Sequence, residues 1–177
     1  MGIRRVVTGH DSEGKAVVVD DEELEPDTFT LMPGMENLQL WASDGAQTYP
    51  DAGIDPGGAT YFPPVGGFRF GVLTVPPESE VPIPDPEALA AGAEEVEAKM
   101  PGMMGHMEPD EPGMHTTDTT DFEVVLAGEF VLELDDGVEV VVGPGDVVVQ
   151  NGTRHRWHNR GDVPATFALF MVGANRS

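Results

Sequence analysis

Three side chains in the last third of this 177-residue sequence have the types and spacing to meet at one point: His115, Asp121 and His155. In the run TRHRWHN, an extended strand turns alternate side chains to opposite faces. That puts His155, Trp157 and Asn159 on one face and Arg154, Arg156 and His158 on the other. The face with tryptophan is read as the interior, so His155 enters it beside an aromatic wall while the arginines meet an acidic exterior. His115 and Thr117 share a face in the same way, and a turn at 118–120 would bring Asp121 back toward them. Two imidazoles and one carboxylate resemble the facial triad of non-haem iron, and zinc would accept the same three with water in the fourth place. A metal-free arrangement also satisfies these residues, because Thr117 and Asp121 can each partner a buried histidine.

The elements that must position this set read as β-structure. DFEVVLAGEFVLELD, VEVVV, DVVVQ, TRHRWHN and ATFALFMVG are short strands separated by Asp136-Gly137, Pro144-Gly145, Asn151-Gly152 and Gly161-Asp162, the turn chemistry of close antiparallel pairs. Such spacing predicts a sandwich or barrel. Upstream, residues 3–8 and 16–20 form a hairpin around HDSEGK, and LQLWAS at 38–43 is a strand with Leu38, Leu40 and Ala42 on one face. ATYFPPVGGFRFGVLTVPP contains two β-rich pieces whose prolines favour a sheet edge. The one helix runs over 85–100, capped by Asp85 with Pro86 in its first turn and a stripe of Leu89, Val96 and Met100. The following PGMMGHMEPDEPGMH is loop, its methionines read as apolar cover over a barrel mouth. His10 and His158 are placed on the surface.

From His115 to Asn159 the sequence resembles the two motifs of the cupin superfamily. HTTDTTDFEVVLAG places His115 at the first motif histidine, Thr117 at the second, Asp121 at the glutamate and Gly128 at the closing glycine. GDVVVQNGTRHRWHN places Gly145, Gln150, Gly152, His155 and Asn159 along the second motif, with His155 at its metal-ligand histidine. The resemblance implies an all-β, single-domain jelly-roll barrel with an N-terminal β extension and one short helix. Residues 1–114 would pack on the barrel, and 115–177 would form the motif region. It further implies a divalent metal (Fe, Mn, Ni or Zn) held by His115, Asp121 and His155, with Thr117 and Trp157 beside it as catalytic residues. The implied function is a metal-dependent enzyme acting on a small organic molecule by oxygenase, oxidoreductase, decarboxylase or isomerase/lyase chemistry. The alternative is a metal-free small-molecule-binding or sensor cupin. Within the superfamily the same residues resemble short bacterial and fungal members, some from natural-product clusters and labelled oxidoreductases.

Composition narrows the partners. Against 32 Asp and Glu stand nine Lys and Arg, a formal net charge of −23, which disfavours nucleic acid and anionic membrane surfaces alike. Such a surface also fits a halophilic setting, where salt screens self-repulsion. With no cysteine there is neither disulfide nor thiolate ligand, so any metal would rest on histidine and carboxylate. The amino terminus lacks an apolar segment after its two arginines, and the expected location is the cytoplasm. The β runs outside the minimal barrel predict a homodimer, since exposed strand edges need partners.

Overall fold

Valine- and phenylalanine-rich runs bounded by glycine turns form two sheets and a separate hairpin, in a computed structural model that describes residues 2–177. The larger sheet has six strands, in spatial order β3 (Asp27–Thr28), β4 (Glu36–Ser43), β5 (Phe68–Val75), β11 (Ala165–Gly173), β6 (Thr119–Ala127) and β9 (Val147–Asn151). The smaller has three, in spatial order β10 (Arg156–His158), β7 (Phe130–Glu133) and β8 (Glu139–Val142). Val125, Phe130, Val142, Ala165 and Phe167 fill the space between them, with Trp157 packed against this cluster. The result is the all-β jelly roll that the sequence predicts.

The chain reaches this architecture partly against local expectation. Asp136-Gly137 does join a neighbouring pair, β7 and β8, with Asp136 itself at φ 59°. Pro144-Gly145, Asn151-Gly152 and Gly161-Asp162 instead carry the chain from one sheet to the other, because β9 pairs with β6, β10 with β7, and β11 with β5 and β6. Turn residues report a reversal of the chain, not which strand it will pair with. β5 is central, between β4 and β11, and its prolines lie beyond its ends where no ladder hydrogen bond is lost. ATYF is not a strand.

β4 also departs from simple alternation. Its pairing with β5 shifts between Gln39 and Trp41, so Leu38 stands opposite Val72 while Ala42 stands opposite Arg69, and the two face opposite sides of the sheet. A bulge at Leu40 accounts for the change of face. All three side chains are nonetheless buried.

Helix α1 (Pro86–Lys99) starts as predicted, with the Asp85 carboxylate accepting from the Ala88 amide at 2.8 Å. Its buried side differs from the predicted stripe: Leu89 is exposed, and contact is made through Gly92, Val96 and the adjoining Met100. Gly92 permits a close approach, since a Cβ there would lie 2.0 Å from the Leu31 side chain. Met100 joins Phe29, Tyr61 and Met171 in a second cluster at the other end of the barrel. Hairpin β1 (Ile3–His10) and β2 (Ala16–Leu24) forms as expected and is longer than predicted, its own two-stranded sheet.

Candidate functional site

The inward face of β6 carries Thr119, Asp121, Glu123 and Val125, all buried, alternating with outward Thr120, Phe122, Val124 and Leu126. Strand periodicity therefore places two carboxyls in the barrel interior, one pleat apart. Asp121 is flanked by Met171 on one side and Gln150 on the other, and Glu123 by Leu169 and Val148. Asp121 Oδ1, Glu123 Oε2 and Gln150 Nε2 are buried without a hydrogen-bond partner. Unsatisfied buried polar atoms are costly and concentrate at sites with a task.

These surroundings set the ionisation of the pair. Burial pushes the Asp121 carboxyl up to about 6, opposed by a hydrogen bond from Thr119. Burial pushes Glu123 further, to about 8, with the nearby Asp121 charge adding to the shift. The same charge, after burial, raises the Tyr61 phenol, so Tyr61 shares this interior; its hydroxyl lies 3.3 Å from Asn37 Oδ1.

The imidazoles form a second group. His115 and His155 exchange backbone hydrogen bonds in an isolated bridge, and their rings lie 4.2 Å apart. Each ring Nδ1 is paired with a nearby carbonyl, that of Gly113 for His115 and that of Thr153 for His155. Burial, with His115 alongside, lowers His155 to about 4, and burial also lowers His115. Both rings are therefore neutral at ordinary pH. Phe62 packs on His115 at 6.4 Å and on His106 at 4.7 Å, and Tyr61 packs on Phe62 at 5.1 Å, joining the imidazoles to the carboxyl side. The Thr117 and Thr119 hydroxyls lie 2.8 Å apart, so a line of hydroxyls runs from Asp121 toward His115.

The predicted ligand trio does not assemble. No return turn follows Asp118; the chain bends there and continues into β6. Asp121 therefore sits on the inward face of β6, apart from the bridge that joins His115 to His155. Among the described residues, no three His, Asp or Glu side chains are grouped so as to hold a metal ion. A divalent metal of the kind that the resemblance implies would find a histidine pair here and, among the described residues, no third ligand, so the residues present do not fit a three-ligand centre.

The other residues singled out in the sequence divide. His155 and Asn159 are buried, while Arg154 and Arg156 face outward, paired with Glu108 and Glu133 at 2.6 and 2.7 Å. Trp157 is half-buried and packs on Phe130 and Phe167 at 5.6 and 5.5 Å, with His155 at 6.4 Å, so most of its ring contacts belong to the core. Asn159 ties the barrel together, donating to the Val75 and Val163 carbonyls. His158 is not a free surface group: it lies between Glu78 and Glu133, at 2.5 and 2.7 Å. His10 is half-buried against the Asp51 carbonyl. Glu123 does not stand out in the sequence, although its position two residues beyond Asp121 on a strand is the signal that could have found it.

Residues 103–172 match the family model described as "Cupin domain". The chain carries a cupin domain. Within this cupin, 62 residues are 43% identical to the oryzines biosynthesis cluster protein J of Aspergillus oryzae, covering 35% of each chain. Over 47 residues it is 51% identical to the phomopsin biosynthesis cluster protein C' of Diaporthe leptostromiformis, covering 27% of this chain and 25% of that one. The cupin-domain-containing oxidoreductase fogC of Aspergillus ruber is 34% identical over 68 residues, 37% of this chain and 34% of its own length. The similarity thus spans between a quarter and about a third of these relatives. Among solved structures, the cupin domain of Schizosaccharomyces pombe Cnp3 aligns over 96% of this chain and 87% of its own, at 9% identity and a TM-score of 0.49. Among the described residues, no helix is long and apolar enough to cross a membrane.

Proposed function

We propose that this cupin is an enzyme that moves protons on a small, uncharged organic substrate inside its barrel, with the Asp121–Glu123 pair as acid and the His115–His155 pair as base. The observation that carries this reading is the buried carboxyl pair, each member with an oxygen left without a partner. A protonated carboxyl donates and a neutral imidazole accepts, and environments that push such groups apart in acidity mark acid and base roles. Phe62 and Tyr61 offer ring faces between the two groups. The substrate is uncharged because a chain of net charge −23 repels anions, and a dry interior disfavours any ion that is not paired.

The relatives named as oxidoreductases or biosynthesis-cluster proteins support a small-molecule enzyme. The metal-dependent form of that reading lacks the third ligand, so no step is routed through a metal. Beside the strand neighbours of the carboxyls, Met171 and Leu169, lies a cleft of about 10 Å³ among Asn37 and Tyr61, the space of a single water.

The test is deuterium incorporation from heavy water into a panel of small neutral carbonyl and hydroxyl compounds, read by mass spectrometry. Incorporation that is lost in both Glu123→Gln and His155→Ala supports the proposal. Incorporation indifferent to both substitutions contradicts it. A compound that raises the melting temperature without exchanging assigns the interior to binding alone.

A further inference from the structure

The carboxyl pair and the imidazole pair stand apart and differ in access. The cleft beside the strand neighbours of Asp121 and Glu123 has the space of a single water, too little for an organic molecule. His115 and His106 are half-buried, so the imidazole end is the one a substrate can reach. An acid confined to the first place serves a substrate at the second only through carriers.

Thr119 and Thr117 have the chemistry and the placement of carriers. Thr119 hydrogen-bonds the Asp121 carboxyl, and its hydroxyl lies 2.8 Å from that of Thr117. Thr117, Thr119 and Asp121 are 1%, 2% and 4% exposed, so bulk water does not compete for these bonds. A hydroxyl has one proton and two lone pairs, and so accepts a proton on one side while releasing its own on the other. Thr117 follows His115 by two residues, and the line ends where the imidazoles begin.

That end of the line is held in place. Three successive carbonyls are engaged: that of Thr116 by His106 Nδ1 at 2.9 Å, that of Thr117 by Arg176 at 2.7 Å, and that of Asp118 by the Ala174 amide at 2.8 Å. Arg176 also reaches the Gly152 carbonyl at 3.0 Å and pairs with the Asp118 carboxylate. His106 packs on Phe62, which packs on His115, so the same segment is tied to the imidazole end. Fixing the backbone in this way holds a hydroxyl in the geometry that transfer needs.

We propose that Thr119 and Thr117 form a proton relay, with Thr117 as a catalytic residue that passes the Asp121 proton to an oxygen atom of the substrate at the imidazole end. The relay rests on the acid and base roles proposed above and assigns the route between them. In each transfer the Asp121 O–H bond breaks as a new O–H bond forms on Thr119. Thr119 gives its own proton to Thr117, and Thr117 gives its own to the substrate oxygen. The substrate gains the one proton that Asp121 loses, Asp121 is left a carboxylate, and nothing is oxidised or reduced. A proton entering at Thr117 recharges it along the same line.

Thr117→Val and Thr119→Val test this, since each keeps the branched shape and removes the hydroxyl, while Thr117→Ser and Thr119→Ser keep the hydroxyl. Carbon-13 relaxation dispersion of the Asp121 carboxyl at its titration midpoint gives the rate of proton exchange with no substrate present. Deuterium incorporation into the neutral carbonyl and hydroxyl compounds gives the rate of turnover. Both rates are expected to fall at least about tenfold in either valine variant and to recover in the matching serine variant. The Asp121 midpoint moves up only in Thr119→Val, which loses the direct hydrogen bond. Exchange or turnover unchanged in both valine variants would overturn the relay, as would a loss that neither serine restores. Slowed exchange in a protein whose wild type incorporates no deuterium would uphold the relay and refute the acid–base enzyme instead. Should one valine variant lose its near-ultraviolet circular dichroism, the other decides, since either interrupts the line.

Discussion

Asp121 and Glu123 stand two positions apart on one strand, both turned into the barrel, and each leaves a carboxyl oxygen buried without a partner. The apolar partners Met171 and Leu169 on the neighbouring strand withhold the solvation that would let both ionise. The protein thus stores a proton where a surface carboxylate would have lost one.

This storage makes stability depend on pH in a stated direction. Glu123 binds its proton up to about 8 in the folded chain against an ordinary value of 4.5. Its contribution to stability is therefore full below about 4.5 and is lost as pH rises toward 8. Glu123→Gln keeps the shape and cannot ionise. Its melting temperature relative to wild type is expected to improve steadily from pH 5 to pH 8, within the window set by those two values. Thermal unfolding followed by circular dichroism measures this, and a constant difference across that range would show that Glu123 carries no raised pKa.

His155 gives the opposite slope. Its folded value of about 4 lies below the ordinary 6.5, so its contribution is present above 6.5 and is lost as pH falls through 4. Nitrogen-15 spectra of the imidazoles should show His155 remaining neutral well below pH 6, with its ring pinned by the Thr153 carbonyl. A midpoint near 6.5, the ordinary value, would place the ring in water.

How much of this is legible in the sequence follows from which forces are local. The strand alternation of TRHRWHN correctly separates His155 and Asn159 from the outward arginines, because the two-residue period belongs to any extended backbone. The capped start of α1 is equally local. The ligand trio fails because it depends on a turn: the residues at 118–120 have turn character, but pairing of β6 with β11 and β9 draws Thr119 and Thr120 into the strand. The sheet-to-sheet crossings after β8, β9 and β10, and the bulge at Leu40, are likewise set by long-range pairing. Glu123 reads as an ordinary surface acid in a chain with 32 Asp and Glu, and only burial distinguishes it.

The split of the trio has a direct consequence for metal. Elemental analysis of protein purified without an affinity tag should show substoichiometric Fe, Mn, Ni and Zn after dialysis, with the melting temperature unchanged by a chelator. A retained equivalent of metal, lost in His155→Ala, would mean that Asp121 or another ligand reaches the imidazoles.

Surface charge predicts a further dependence. Acidic groups far outnumber their partners, such as Arg154 beside Glu108 and Arg160 beside Glu139. Melting temperature should rise with ionic strength between about 0.1 and 1 M, as the screening length falls from about 10 to about 3 Å. A flat profile would show that repulsion within the −23 surface costs little and would remove the halophilic reading.

The proposed acid role stands or falls on the ionisation of Glu123 itself. Carbon-13 labelling of glutamate side chains, with the Glu123 carboxyl signal identified by its absence in Glu123→Gln, allows its titration to be followed alone. The expected midpoint is near 8, moving downward in Asp121→Asn as the neighbouring charge is removed. A midpoint near 4.5, among the surface carboxylates and indifferent to Asp121, would contradict that role.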